Sequence, residues 1–151
     1  MLVAIHQLHY LPWLRWAEKL VRAEMLILLD DAQYQKGGWM NRQYIKGPRG
    51  PQLLTIPVRQ QGGSLFYKTL ISGHRWERKH RVSIEQAYSK APHYNDLASM
   101  LEWMYTQNWA RLGDIASYFL SVLYARLDQP KDDNFKLRTA SGFGYQGEGT
   151  A

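Results

Sequence analysis

The chain has 151 residues, 45% of them apolar and 13% aromatic, which excludes a disordered segment and supplies one domain with enough material for a core. Against 13 Asp and Glu stand 19 Lys and Arg, a net charge of +6 that favours anionic partners: phosphorylated substrates, nucleic acid or lipid headgroups. No apolar run approaches the roughly 18 residues that span a bilayer, no signal-peptide pattern precedes His6, and the absence of cysteine excludes disulfides, thiolate metal ligands and a cysteine nucleophile. The expected location is cytoplasmic.

Leu2 to Ile5 and Met25 to Leu29 are short apolar runs that read as buried strands. Between them Trp13, Trp16, Ala17 and Leu20 form the i, i+3, i+4, i+7 stripe of an amphipathic helix, with Pro12 in its first turn. Strand, helix and strand in this order predict a βαβ unit with a right-handed crossover and parallel strands. From Arg42 to Lys46 the period becomes two; Gly47 to Pro51 breaks the chain before Leu53 to Val58, which reads as a hairpin with a five-residue loop. Gln60 to Ser64 reads as a flexible connection, and Leu65 to Ile71 as one more short strand.

Three helical stripes follow: Trp76, His80, Ile84, Ala87 and Tyr88; then Leu97, Met100, Leu101, Met104 and Tyr105; then Leu112, Ile115, Ala116, Phe119, Leu120 and Leu123. Phe135 to Thr139 is a candidate last strand. Ser141 to Ala151 is rich in glycine, has little apolar area to offset backbone ordering, and is expected to be irregular, as in a chain that ends before its domain does. The fold class expected from this order is α/β to α+β, in a single domain with a mixed sheet, an N-terminal βαβ unit, a β-hairpin and a helical second half.

Chemistry concentrates just past the first two strands. His6 can exchange a proton near neutral pH from a strand end, and His9, three residues on, makes a metal pair conceivable with Asp30 or Asp31, although His-x-x-His in a loop lacks the fixed register of a helical zinc motif. Asp30 and Asp31 point to opposite faces if extended, so one can cap a turn while the other orients a histidine. Trp39 follows two glycines and can stack on a sugar or base; Arg42 offers a planar fork to carboxylate or phosphate. His80 lies on the inward stripe of its helix, Lys79 beside it need not, and the run His74, Arg75, Arg78, Lys79, His80, Arg81 is either a solvated face or an anion-binding one.

Taken together, His6-Gln7-x-x-Tyr10-Leu11-Pro12-Trp13, Leu29-Asp30-Asp31-Ala32-Gln33, Trp39-x-Asn41-Arg42-x-x-Ile45-Lys46, Leu54-Thr55-Ile56-Pro57-Val58, Trp76-x-x-Lys79-His80 and Tyr88-x-Lys90-Ala91-Pro92 resemble the WbqC-like protein family in content and order. The resemblance implies an enzyme-like protein of bacterial surface-polysaccharide and O-antigen biosynthesis that transfers glycine or another acyl group to an amino sugar. It maps the family's polar positions onto His6, Gln7, Tyr10, Asp30, Asp31, Gln33, Asn41, Arg42, Lys79 and His80, and departs at Leu8, where the family usually carries proline. It also implies further helix and strand beyond the Gly144 to Gly149 loop.

The expectation that follows is catalysis by His6, Asp30, Asp31 and His80 converging on one cleft. Substrate would be bound by Gln7, Tyr10, Gln33, Trp39, Asn41, Arg42 and Lys79. The partners would be a nucleotide-linked or phosphorylated amino sugar and an acyl donor; no cofactor and no firm metal site is assigned. A nucleic-acid-binding protein, which would use the charge and the aromatic residues, and a metal-dependent hydrolase built on His6, His9 and Asp31 are the alternatives.

Overall fold

The computed structural model describes residues 1–59, 63–127 and 136–143. Its elements run β1 (Val3–Gln7), α1 (Leu14–Arg22), β2 (Met25–Leu29), β3 (Arg42–Gly47), β4 (Gly50–Thr55), α2 (Trp76–Tyr88), α3 (Tyr94–Thr106), α4 (Leu112–Arg126) and β5 (Lys136–Thr139), with 3-10 turns at Phe66–Lys68 and Ser141–Phe143. This is the expected α+β chain, its parallel and antiparallel pairings in separate sheets. β1, β2 and β5 form a parallel sheet in that order, and β3 and β4 form a two-stranded hairpin.

The N-terminal βαβ unit is as the periodicity predicts. Val3 pairs with Met25 and Gln7 with Leu29, so His6 lies beside Leu28 and the segment after β2 begins where β1 ends. Leu26 and Leu28 are buried, as are Trp16 and Leu20 on the facing stripe of α1; each such aliphatic side chain contributes about 1.5–3 kcal/mol when taken out of water. Partners in register share a face, so His6, beside Leu28, lies on the helix-covered side of the sheet and its ring meets the Trp16 ring.

The hairpin turn is tighter than the expected five-residue loop: Gly47 pairs with Gly50, and Pro48-Arg49 alone make the turn. A Cβ on Gly47 would lie 2.6 Å from the Gly50 carbonyl oxygen, and Gly50 has φ +127°, so glycine is required on both sides for strands to approach this closely. Ile45 and Leu54 are buried. The hairpin docks on α2 through Gln52 Nε2, which donates to Ser83 Oγ at 2.9 Å, and through the Tyr88 hydroxyl, which accepts from the Lys46 amide at 2.9 Å.

Leu65 to Ile71 is not a strand. The amides of Lys68 and Thr69 close a 3-10 turn onto the carbonyls of Leu65 and Phe66, leaving isolated bridges at Leu65, Leu70 and Ile71. Phe66 is enclosed there, and Gly113 at the start of α4 packs so close to Tyr67 that a Cβ would lie 3.0 Å from its Cα. The helical stripes bury Trp76, His80 and Ile84, then Met100, Leu101, Met104 and Tyr105, then Leu112, Ile115, Ala116 and Leu120; Leu97 stays 38% exposed. Of the expected last strand, Lys136 to Thr139 pairs with β2 and Phe135 lies outside the described residues. Of the connection, Gln60, Gln61 and Gly62 lie outside them, as does the tail from Gly144 to Ala151; Ser141 to Phe143 form the short turn. Among the described residues no helix is long and apolar enough to cross a membrane.

Candidate functional site

The segment from His6 and Gln7, the last residues of β1, through the loop to Pro12 is fixed from three sides. The Trp16 indole donates to the Gln7 carbonyl at 3.1 Å, the Tyr10 amide to the Met40 carbonyl at 3.0 Å, and Gln43 Nε2 to the Leu11 carbonyl at 2.7 Å. Leu11 has φ 49°, a left-handed conformation that a branched side chain adopts only where its surroundings enforce it. The loop is therefore pre-shaped rather than free to adapt.

Two imidazoles stand in this segment. His6 Nδ1 lies 2.9 Å from the Gln7 carbonyl, which can only accept, so the proton is on Nδ1 and the neutral ring keeps its lone pair on Nε2. His9 Nδ1 is buried and has no hydrogen-bond partner. The rings are 5.2 Å apart and both meet Trp13 nearly edge-on. Burial lowers the pKa of both; the backbone bonds to Gln7 and Trp39 oppose that effect, and each histidine also feels Lys19. The two are neutral at pH 7, and Nε2 of His6 keeps an unprotonated lone pair. Among the described residues no three His, Asp or Glu side chains gather as a metal-ligand set.

Other members of the expected site are divided between the loop's surroundings and the interior. Gln7 is half-buried at the end of β1, Trp39 is 47% exposed with its ring 5.6 Å from Tyr44, and Gln33 is exposed in a bridge to Leu65. Arg42 is half-buried and donates from Nε to the Gly38 carbonyl at 2.8 Å, holding the glycine turn before Trp39. Asn41 is buried; its Nδ2 donates to the Ile56 carbonyl at 2.7 Å while Oδ1 is without a partner. Both carboxylates lie past the end of β2, where the chain turns with the Asp30 amide on the Leu28 carbonyl, so strand alternation does not apply to them: Asp30 is buried and accepts from the Ser141 amide at 3.0 Å and hydroxyl at 2.6 Å, whereas Asp31 is half-buried and makes no such bond. Asp30 thus caps the turn after β5, and Asp31 is the carboxylate left beside the strand end. Lys79 is exposed on α2.

Tyr10 and His80 are not in a cleft with His6. Tyr10 is wholly enclosed, its hydroxyl 2.8 Å from His80 Nδ1 and in a short hydrogen bond with the Tyr105 hydroxyl. His80 Nδ1 and the Tyr10 hydroxyl are hydrogen-bonded to one another, with the donor set by the ring's tautomer. Burial lowers its pKa to about 4, which fixes the neutral ring, and raises those of Tyr10 and Tyr105. The ring neighbours of His80 are Tyr10, Trp76 and Tyr105, those of His6 are His9, Trp13 and Trp16, and no ring is common to both sets. The physical reason is that both groups are enclosed by the packing of the loop, α2 and α3, where a polar side chain cut off from water needs a partner and each supplies the other's.

Sequence reasoning set His9 aside after considering it for a metal, yet the three-residue spacing to His6 was the available signal for paired rings. Nothing in sequence pointed to Ser141 as the partner of Asp30.

What fold and site define is an α+β domain with a pre-shaped, two-histidine segment at the carboxyl end of a parallel strand, a position where such sheets present chemistry. The chain belongs to the WbqC-like protein family, whose pattern it matches over residues 7–147. It is similar to Rv1507c, an uncharacterized protein of Mycobacterium tuberculosis, with 36% identity over 107 residues, which cover 70% of this chain and 46% of that protein. The match therefore spans about half the length of this relative. No solved structure matches the chain.

Proposed function

We propose that the chain carries the histidine loop of a WbqC-like enzyme that transfers an acyl or aminoacyl group, of the glycine type, to an amino sugar in bacterial surface-polysaccharide (O-antigen, lipopolysaccharide) biosynthesis. The observation that supports it best is the tautomer of His6: with Nδ1–H on the Gln7 carbonyl and a pKa lowered by burial, Nε2 is an unprotonated base at neutral pH.

In this reading the sugar amine attacks the carbonyl carbon of an acyl ester or thioester. The new C–N bond forms as the carbonyl π electrons move to oxygen, and Nε2 of His6 takes the amine proton. Collapse of the oxyanion breaks the bond to the donor's oxygen or sulfur, which leaves with the proton returned by His6. His9, whose ring lies 5.2 Å from that of His6, packs behind the base, and Asp31, half-buried past the end of β2, is the carboxylate proposed to favour the imidazolium while it exists. Trp39 offers a face to the sugar ring, and Gln7, Gln33 and the outer nitrogens of Arg42 offer polar contacts. Tyr10, Asn41 and His80 act from the interior by holding the loop, and Asp30 by holding the turn at Ser141.

The test is incubation of the protein with nucleotide-linked amino sugars and a panel of acyl and glycyl thioesters and esters, followed by mass spectrometry. A product heavier by one acyl group, and a fall of about 10²–10⁴-fold in its rate on His6→Ala, is expected. Absence of any amide product, or a rate indifferent to His6→Ala, rejects the reading.

A further inference from the structure

The basic run in α2 has a cavity of its own. A cleft of about 450 Å³ opens between the first half of α2 and the segment after α3, lined by Arg75, Glu77, Arg78, Arg81, Gln107 and Asn108 among others. It shares no lining residue with the histidine loop. Arg78 and Arg81 stand at i and i+3 on neighbouring positions of α2, and Arg75 precedes the helix at its N-terminal end.

Their charge is largely unspent. Among the described residues neither Arg75 nor Arg78 has an ion pair, and Arg81 reaches only Glu85, at 3.8 Å. With Glu77 in the lining and Glu85 paired to Arg81, the three guanidinium groups leave a formal excess of one positive charge at this wall. Arg75 is also strained. It precedes α2 with φ 85°, in a conformation that glycine would take without penalty, and it lines the cleft. Opposite, Gln107 and Asn108 offer amide donors, and Tyr105 closes the inner wall.

We propose that this cleft binds the diphosphate of a small organic ligand, of the class of a nucleoside diphosphate. The volume is in the range of small-ligand sites, and paired planar forks suit phosphate oxygens better than ammonium groups would. An open groove with three arginines clustered at one end of α2 matches one compact anion, whereas a nucleic-acid strand tracks an extended stripe of charge. The assignment does not depend on acyl transfer, because it concerns binding alone.

Calorimetric titration of the protein with uridine diphosphate, inorganic pyrophosphate, inorganic phosphate and a short single-stranded oligonucleotide decides it. Saturable binding of either diphosphate is expected, tighter than phosphate. It should weaken roughly tenfold or more in Arg78→Gln and in Arg75→Gly, the latter a change that the backbone at residue 75 favours. Uridine diphosphate binding more tightly than pyrophosphate assigns the nucleotide, and equal binding assigns the diphosphate alone; both support the site. Circular dichroism of each variant checks the fold, and Lys46→Gln, outside the cleft, should bind as the parent does. No diphosphate binding, binding indifferent to both arginine changes, or tighter oligonucleotide binding lost in the same variants overturns the proposal.

Discussion

The hydroxyl of Tyr10 and Nδ1 of His80 lie 2.8 Å apart although 70 residues separate them, and this buried bond ties the segment that bears His6 and His9 to the first half of α2. Tyr105 extends the chain of hydroxyls from α3. Removing the central oxygen by Tyr10→Phe leaves His80 and Tyr105 without their partner in a dry interior, which should cost about 1–3 kcal/mol. The expected result in urea is a lower midpoint with unchanged slope; an unchanged midpoint would show that the hydroxyl chain contributes nothing.

His80 makes stability depend on pH. Its folded pKa of about 4 lies below the ordinary 6.5, so between those values the unfolded chain takes up a proton that the folded chain does not. Its contribution is complete above pH 6.5 and is lost as pH falls towards 4, a total of roughly 3 kcal/mol at about 1.4 kcal/mol per pH unit. His6 and His9, also lowered, act with the same sign. Denaturant melts at stepped pH should show this decline, and His80→Gln should make it shallower while lowering stability at neutral pH.

Leu20 is 4% exposed against the parallel sheet. Leu20→Ala should cost about 2–5 kcal/mol, the transfer term plus the cavity left behind. A substitution without effect in a chemical melt would mean that α1 does not cover this face.

Asp30 holds Ser141 with two charge-assisted hydrogen bonds, and through it the end of β5. Asp30→Ala should cost about 1.5–3 kcal/mol, concentrated at this edge of the sheet. Hydrogen exchange is the measurement: the Ser141 amide should lose protection, whereas amides of β1 should change only by the global amount.

If His6 is the base, the rate of amide formation should fall as pH drops, with an apparent pKa below 6.5, because burial disfavours the imidazolium. A rate that stays flat from neutral pH to below 5, in protein that is still folded, would remove His6 from that role.

Periodicity alone determined much of this chain. Apolar runs at Leu2 to Ile5 and Met25 to Leu29 around the Trp16 and Leu20 stripe specify a βαβ unit because side-chain direction repeats every two residues in a strand and every 3.6 in a helix. The same rule placed His80 inward. It did not reach Asp30 and Asp31, which lie in a turn past β2, and the strand expected to stop at Ile5 runs on to Gln7, so His6 sits inside β1 and only His9 in the loop after it. Short-range patterns could not say which groups meet across the fold. That Tyr10 belongs to His80 and Tyr105, that Asp30 belongs to Ser141, and that Arg75, Arg78 and Arg81 face a cleft closed by Gln107 and Asn108 are outcomes of long-range packing. The tight Pro48-Arg49 turn and the 3-10 turn at Phe66–Lys68 were likewise decided there, since close approach of neighbouring backbone, not local preference, selected them. A polar side chain reads the same in sequence whether its partner is a substrate or another part of the chain, and only the tertiary structure distinguishes the two.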